Sequence, residues 1–134
     1  MTSAISTRTR PRVFLSFALR DRRLAIKVAH ILSESGLNVV RPDELEPGGE
    51  YSAAVRDAMR RSAAMVVVLS QAAIESEQIP SSVLFEIGAG FGAEKPIFVV
   101  TDNPGAKLPF GTPKLRILPA SRVEEIADEL LARS

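Results

Sequence analysis

Short, uniformly apolar segments alternate with amphipathic segments along the chain, and this alternation constrains the fold more than any other feature. The clearest apolar segment is AMVVVL at residues 64–69, whose β-branched composition is typical of a central parallel strand. Strands that alternate with helices imply a parallel sheet with helices on both faces. The sequence therefore predicts an α/β protein.

The periodicity of the apolar residues predicts five strands and five helices. The strands are expected at residues 12–17, 37–40, 64–69, 95–100 and 115–118. The helices are expected at residues 20–35, 51–62, 71–77, 80–93 and 121–133, with Gly36 ending the first. The segments 41–50 and 101–114 are predicted loops, because they are rich in Pro and Gly. Five strands favour a flavodoxin-like sheet of order 2-1-3-4-5, whose ligand crevice lies at the carboxyl ends of strands one and three.

The 134 residues suit one domain, which we expect at residues 12–134 after a disordered lead-in at residues 1–11. The net charge of +1 provides no global field for nucleic acid or membranes. The longest apolar segment is too short to span a bilayer, and the N-terminus lacks a secretory pattern. The absence of cysteine excludes disulfides and thiol catalysis, fits a reducing compartment, and leads us to expect a cytoplasmic location.

Several common kinds of site are disfavoured by missing residues. The single histidine, His30, makes a Ser-His-Asp triad or a histidine metal cluster improbable, and we expect it at the surface. No Walker or GxGxxG loop follows a predicted strand. The third strand ends in Leu69-Ser70 without an aspartate, which argues against a phospho-accepting receiver domain.

Glu86 is the most informative candidate residue, because its helical neighbours at positions 82, 89, 90 and 93 are Ser, Ala or Gly. The expected core stripe of this helix is Val83, Leu84, Ile87 and Phe91. Glycines 88, 90 and 92 each cost about 1 kcal/mol relative to Ala, which suggests close approach of another backbone or a ligand. Glu86 then either projects into a cavity or lies exposed on the helix flank.

Two further segments are candidates for ligand contact. The first is residues 17–21, FALRD, which leave the first strand. The backbone N–H groups around Ala18 could face a phosphate, Phe17 could contact a base or nicotinamide ring, and Arg20 could bind a pyrophosphate. The alternative is that Phe17 is core and Arg20 belongs to a solvated helix start. The acidic segment 43–49, which includes Asp43 and Glu46, is either a lid or self-association surface, or a plain surface loop.

Taken together, these segments resemble the Toll/interleukin-1 receptor (TIR) domain family, especially its bacterial members. The resemblance rests on residues 13–17 with Asp21, residues 45–48, Ser62 with residues 66–70, residues 86–88 and residues 95–97. These segments occur in the family's order and spacing and extend the likeness over residues 12–133.

The resemblance implies that Glu86 is the catalytic glutamate of an NAD⁺-cleaving domain, with Phe17, Arg20, the acidic segment and Ser82 around the nucleotide. Such domains hydrolyse NAD⁺ to nicotinamide and ADP-ribose or cyclise it, so NAD⁺ is a substrate and no resident cofactor is expected. They are often active only when assembled through TIR–TIR contacts. We therefore expect a bacterial immune or signalling effector with a sensor partner or a further domain.

One departure concerns the residues before the glutamate. Family members often have Trp four positions earlier and Cys three positions earlier, where this chain has Ser82 and Val83. The loss of the aromatic ring affects nicotinamide stacking and the assembly contact. Asp43 matches the family's acidic residue only with a one-residue gap.

Two other functions compete with NAD⁺ cleavage. The first is a non-enzymatic TIR adaptor that binds other TIR domains through the segment 43–50. The second is a nucleoside deoxyribosyltransferase-like enzyme, since that family shares the fold and a Glu-x-Gly helix. In that enzyme Glu86 would be the nucleophile and a nucleoside the substrate.

Overall fold

A five-stranded parallel sheet forms the centre of the molecule. The computed structural model describes residues 10–41, 51–76, 78–102 and 115–133. The strands are β1 (Arg12–Phe17), β2 (Asn38–Val40), β3 (Ala64–Val68), β4 (Ile97–Thr101) and β5 (Leu115–Pro119). They are parallel and lie in the order β2-β1-β3-β4-β5, which confirms the predicted flavodoxin-like sheet.

Helices connect the strands close to where the sequence predicts them. They are α1 (Arg22–Glu34), α2 (Tyr51–Arg60), α3 (Gln71–Glu75), α4 (Ser81–Gly92) and α5 (Glu124–Arg133). Two starts are later than predicted, because 3₁₀ turns at Leu19–Asp21 and Ala120–Arg122 precede α1 and α5. No helix in the described ranges is both long and apolar enough to cross a membrane.

Some sequence predictions fall on parts of the chain that the structure does not describe. Residues 1–9 include most of the expected lead-in. Residues 42–50 include Asp43 and Glu46, and residues 103–114 contain most of the second expected loop. These predictions lie outside the described residues.

The end of α1 illustrates how one residue type determines a boundary. Gly36 has a φ of 103°, a left-handed conformation that glycine adopts without a Cβ clash. This turn lets the N–H of Leu37 donate to the carbonyl of Leu32 at 3.1 Å. Only three residues therefore separate the end of α1 from the start of β2, and Gly36 ends the helix as the sequence predicts.

The alternation of side chains along β1 assigns the two faces of the sheet to separate apolar clusters. Val13 and Leu15 pack with α1 and α5 on one face. Phe14 packs with α2 and α4 on the other face, together with Met65 and Val67 of β3. Because Ser16 lies two residues after Phe14, its side chain faces α4.

The buried face of α4 differs from the predicted core stripe. Its buried residues are Val83, Glu86, Ile87 and Gly90. Leu84 and Phe91 were predicted to be core but are 45% and 54% exposed. A Cβ added to Gly90 would lie 2.8 Å from the sulfur of Met65, so this glycine permits close helix–sheet packing, whereas Gly88 and Gly92 have open space.

Candidate functional site

Glu86 is a carboxylic acid in the interior of the domain. Its relative exposure is only 2%, although α4 carries exposed residues on either side of it. The sequence allows two placements of this carboxylate, either projecting into a cavity or exposed on the helix flank. The structure shows neither, because the side chain is buried. It points toward the sheet because it shares a helical face with Val83 and Ile87.

Two hydroxyl groups reach the Glu86 carboxylate from different elements. The fully buried Ser16 hydroxyl of β1 donates to Oε1 at 2.5 Å. The Tyr51 hydroxyl, from the first residue of α2, donates to Oε2. Each carboxylate oxygen therefore has one neutral donor, and the site joins β1, α2 and α4.

The electrostatics of Glu86 reflect a balance between burial and these two donors. Burial raises the pKa of Glu86 from its ordinary 4.5, and the hydrogen bonds from Ser16 and Tyr51 partly offset this by lowering it. Burial and the bond to Glu86 also raise the pKa of the Tyr51 phenol above its ordinary 10.0. Tyr51 therefore stays protonated and remains a donor.

Tyr51 is the outward-facing member of this trio. It is 41% exposed, whereas Ser16 and Glu86 are 0% and 2% exposed. Its ring also pairs with the ring of Phe85, at a centroid distance of 6.2 Å. Among the described partners of Glu86, Tyr51 is therefore the one that is in contact with solvent.

A second polar contact braces the sheet edge at the predicted crevice. Asp21 is 6% exposed, and its carboxylate accepts a hydrogen bond from the Ser70 N–H at 3.2 Å. Asp21 follows β1 and Ser70 follows β3, so this bond links the carboxyl ends of the two strands. Across the residues that the structure describes, no group of three or more His, Asp or Glu could hold a metal ion.

The structure describes four of the other sequence-predicted site residues, and none of the four forms a hydrogen bond with Glu86. Ala18 is buried in the cluster on the α2 and α4 face. Phe17 is half-buried against the opposite cluster, because strand alternation turns it away from Glu86. Arg20 and Ser82 are exposed, and Ser82 lies one turn before Glu86 in α4. His30 is exposed, as predicted.

Sequence reasoning missed Ser16 and Tyr51 as partners of Glu86. Ser16 interrupts the apolar pattern of β1, and a hydroxyl in a buried strand indicates a buried polar partner. Tyr51 is the single tyrosine of the chain and begins a predicted helix. The first signal was usable, whereas nothing in the sequence indicates that Tyr51 reaches Glu86.

The sheet order and the buried carboxylate beside it define the class as a doubly wound, flavodoxin-like α/β protein. A family model for the TIR domain matches residues 13–131. The chain therefore belongs to the TIR domain family, as the sequence resemblance predicts. A comparison with curated proteins found no significant match.

Solved structures with the same fold come from several functional classes. The TIR domain of the Toll-related receptor TRR-2 from Hydra magnipapillata is 18% identical, with a TM-score of 0.61 and coverage of 90% of this chain and 94% of that one. The CMP N-glycosidase BcmB from Clostridium botulinum is 15% identical, with a TM-score of 0.54 and coverage of 89% and 97%. A response regulator receiver domain protein from Bacillus halodurans is 14% identical, with a TM-score of 0.55 and coverage of 90% and 97%. At these identities the likeness shows the fold alone.

Proposed function

We propose that this TIR domain cleaves the bond between nicotinamide and ribose in NAD⁺, with Glu86 as the catalytic carboxylate. The observation that carries the proposal is a buried glutamate whose two oxygens accept from Ser16 and Tyr51. A buried carboxylate that has only neutral donors is unusual for a structural role, since buried charges are normally paired. Among the described residues, Glu86 forms no ion pair with Arg or Lys.

The missing counter-charge suits a reaction that creates positive charge on a sugar. When the bond between C1′ and the pyridinium nitrogen breaks, its electron pair leaves with neutral nicotinamide, so no general acid is needed. The ribose becomes oxocarbenium-like, as in glycoside hydrolysis. A preorganised carboxylate stabilises this charge most strongly where water is excluded.

The remaining steps use groups already present at the site. In hydrolysis, a water oxygen bonds to C1′ and its proton passes to the Glu86 carboxylate or to solvent. In cyclisation, a nitrogen of the adenine ring would take the place of water. Tyr51 would move aside to admit the ribose, and its ring or that of Phe85 would lie beside the nicotinamide, since position 82 has no aromatic side chain.

Self-association and the acidic segment complete the proposal. TIR domains assemble with one another, and the proposed effector would be active in the assembled state and respond to a sensor protein or domain in an immune or signalling role. Asp43 and Glu46 lie outside the described residues, so their placement near a neighbour's site stays a prediction. Ala18, Arg20 and Ser82 remain proposed ligand contacts, and Phe17 would need to turn from the opposite cluster to join them.

A second candidate activity is the cleavage of a different N-glycosidic bond. The fold relative from Clostridium botulinum is a CMP N-glycosidase, which places a nucleotide glycosidase among chains of this shape. The same carboxylate would then act on a pyrimidine nucleotide, or as the nucleophile of base exchange on a nucleoside. In the adaptor alternative, the domain binds other TIR domains and catalyses no reaction.

The test is chromatographic analysis of NAD⁺ at high protein concentration, with and without a crowding agent. We expect wild-type protein to release nicotinamide together with ADP-ribose or its cyclic form. Glu86→Gln should lower the rate by about a hundredfold or more, the scale on which removal of one preorganised hydrogen-bond donor acts in other enzymes. The matched control, Glu124→Gln, changes an exposed glutamate of α5 and should keep the wild-type rate.

Each alternative has its own outcome in this assay. Stable NAD⁺ in the presence of assembled wild-type protein contradicts the proposal and favours the adaptor. Release of a base from CMP without loss of NAD⁺ favours the nucleotide glycosidase. Base exchange between nucleosides favours the transferase.

A further inference from the structure

A cavity of about 600 Å³ lies at the amino-terminal edge of the sheet, away from Glu86. Its lining includes residues that begin four strands or lie within two residues before them, namely Pro11, Arg12, Asn38, Ala63 and Lys95. Ser16 and Tyr51, by contrast, lie toward the carboxyl ends of the strands. The two places are therefore separate sites on the same sheet.

The lining of this cavity is strongly cationic. Its basic side chains are Arg10, Arg12, Arg60, Arg61, Lys95 and Arg133. No Asp or Glu is among the described residues of the lining. The chain as a whole has a net charge of only +1, so this accumulation is a local property of one edge.

Nearby carboxylates neutralise part of this charge. Asp57 pairs with Arg60 at 2.7 Å and with Arg61 at 3.2 Å. Glu129 pairs with Arg133 at 2.8 Å. All three arginine side chains are more than half exposed, so these pairs are weak and an anion can compete for the guanidinium groups.

Helix ends explain some of the basic residues. Arg60 and Arg133 lie in the last turns of α2 and α5, where cations are favourable near the helix carbonyl groups. The Lys95 ammonium donates to the carbonyl of Arg60 at 3.2 Å. Arg12 begins β1 and Arg10 lies two residues before it, so neither belongs to a helix, and neither pairs with a carboxylate in the part of the chain that the structure describes.

We propose that this cavity binds a small molecule through a polyphosphate group. Guanidinium groups bind phosphate oxygens in pairs, and several that converge on one cavity suit an anion with more than one charge. The volume lies in the range of small-ligand sites. The basic residues line one open pocket, where a compact polyphosphate group can contact several of them at once, and this favours a compact ligand over a nucleic-acid strand.

Titration calorimetry with inorganic tripolyphosphate, ATP and adenosine tests the proposal. We expect the two phosphates to bind wild-type protein and adenosine not to bind. Equal affinities would identify the polyphosphate alone as the ligand, and tighter binding of ATP would identify a nucleotide. The double variant Arg12→Ala/Lys95→Ala should bind about tenfold more weakly or worse, as expected for lost charge-assisted hydrogen bonds.

The matched control is Arg22→Ala/Arg23→Ala, which removes the same charge from exposed positions of α1. The control and Glu86→Gln should both keep wild-type affinity for tripolyphosphate, whether or not NAD⁺ is cleaved. If the first double variant unfolds, the exposed Arg10→Ala replaces it.

Three results would overturn the polyphosphate site. Neither phosphate binds wild-type protein, or the α1 control loses as much affinity as the cavity variant. The third result is that single-stranded DNA binds through Arg12 while tripolyphosphate does not bind. This edge of the sheet would then be a nucleic-acid surface.

Discussion

At the residue scale, hydrogen bonds stabilise the ionised form of Glu86, and no counter-charge does so within the described parts of the chain. Its two oxygens accept from Ser16 and Tyr51, while burial opposes ionisation. The charged form is consequently less stable here than in water, even with both donors in place. A residue in this state should leave a measurable trace in the pH dependence of folding.

We expect wild-type protein to lose stability as the pH rises from about 4.5 through the folded-state pKa of Glu86. The sign follows because the folded state keeps its proton at pH values where the unfolded chain has released it. Glu86→Gln has no proton to lose at this position, so its stability should decline less over the same range. Urea unfolding at a series of pH values measures the difference, with Glu124→Gln as the control. Parallel curves for wild type and Glu86→Gln would contradict the prediction.

Tyr51→Phe should raise the pKa of Glu86 further, because it removes a donor that lowers this pKa. The ring that faces Phe85 is retained, so the variant isolates the hydroxyl group. The acid limb of the pH–rate profile for nicotinamide release should move to higher pH. The pH dependence of unfolding should move in the same direction and does not require activity. An unchanged profile in both measurements would show that the Tyr51–Glu86 bond is unimportant in solution.

At the element scale, α4 presents a polar and a very small residue to the sheet. Glu86 and Gly90 share the buried face, and Leu84 and Phe91 are left partly exposed. Hydrophobicity alone predicts the opposite assignment, which is why the expected core stripe was partly wrong. The helix is oriented by its contacts with Ser16 and with Met65, and both lie far away in sequence.

The glycines of α4 provide a matched test of this orientation. Gly88→Ala should stabilise the protein by about 1 kcal/mol, because the site is open and Ala is the better helix former. Gly90→Ala should instead destabilise it by about 0–2 kcal/mol, since the new methyl group would press on the sulfur of buried Met65 at a cost of about 1–3 kcal/mol, which the same helix preference offsets in part. Thermal or urea unfolding of both variants measures the contrast. Stabilisation by Gly90→Ala would mean that the helix lies farther from β3.

The sequence predicted the elements well and the polar site only in part. Apolar runs such as residues 64–69 and the stop at Gly36 depend on local chemistry, so both could be read directly. The sequence identifies Glu86 as a candidate residue but does not predict that its side chain is buried. Its partners Ser16 and Tyr51 are 70 and 35 positions away, and only the folded topology brings them together.

At the scale of the whole molecule, stability is concentrated in the middle of the sheet. All five residues of β3 are buried, and β3 pairs with β1 and β4 on its two sides. Among the described strands, β2 pairs only with β1; it has three residues, and none of them is fully buried. Opening of β3 therefore requires disruption of both faces of the core, whereas β2 can separate at lower cost.

Amide hydrogen exchange should follow this gradient. We expect the slowest amides in β3 and in the adjoining parts of β1 and β4, with exchange limited by global unfolding. The amides of β2 should exchange at least about tenfold faster, because local opening exposes them. Exchange monitored by NMR or mass spectrometry makes the comparison. Equal protection of β2 and β3 would indicate that the sheet opens as a single unit.

The division of the core into two apolar clusters bears on how such domains diversify. Among the described residues, Glu86 and its two hydrogen-bond partners lie on the α2 and α4 side of the sheet, opposite the cluster under α1 and α5. Mutations that reshape the chemistry on one side therefore leave half of the hydrophobic support untouched. A lineage can then exchange one substrate for another while it still folds, and chains that share only this architecture need not share a reaction.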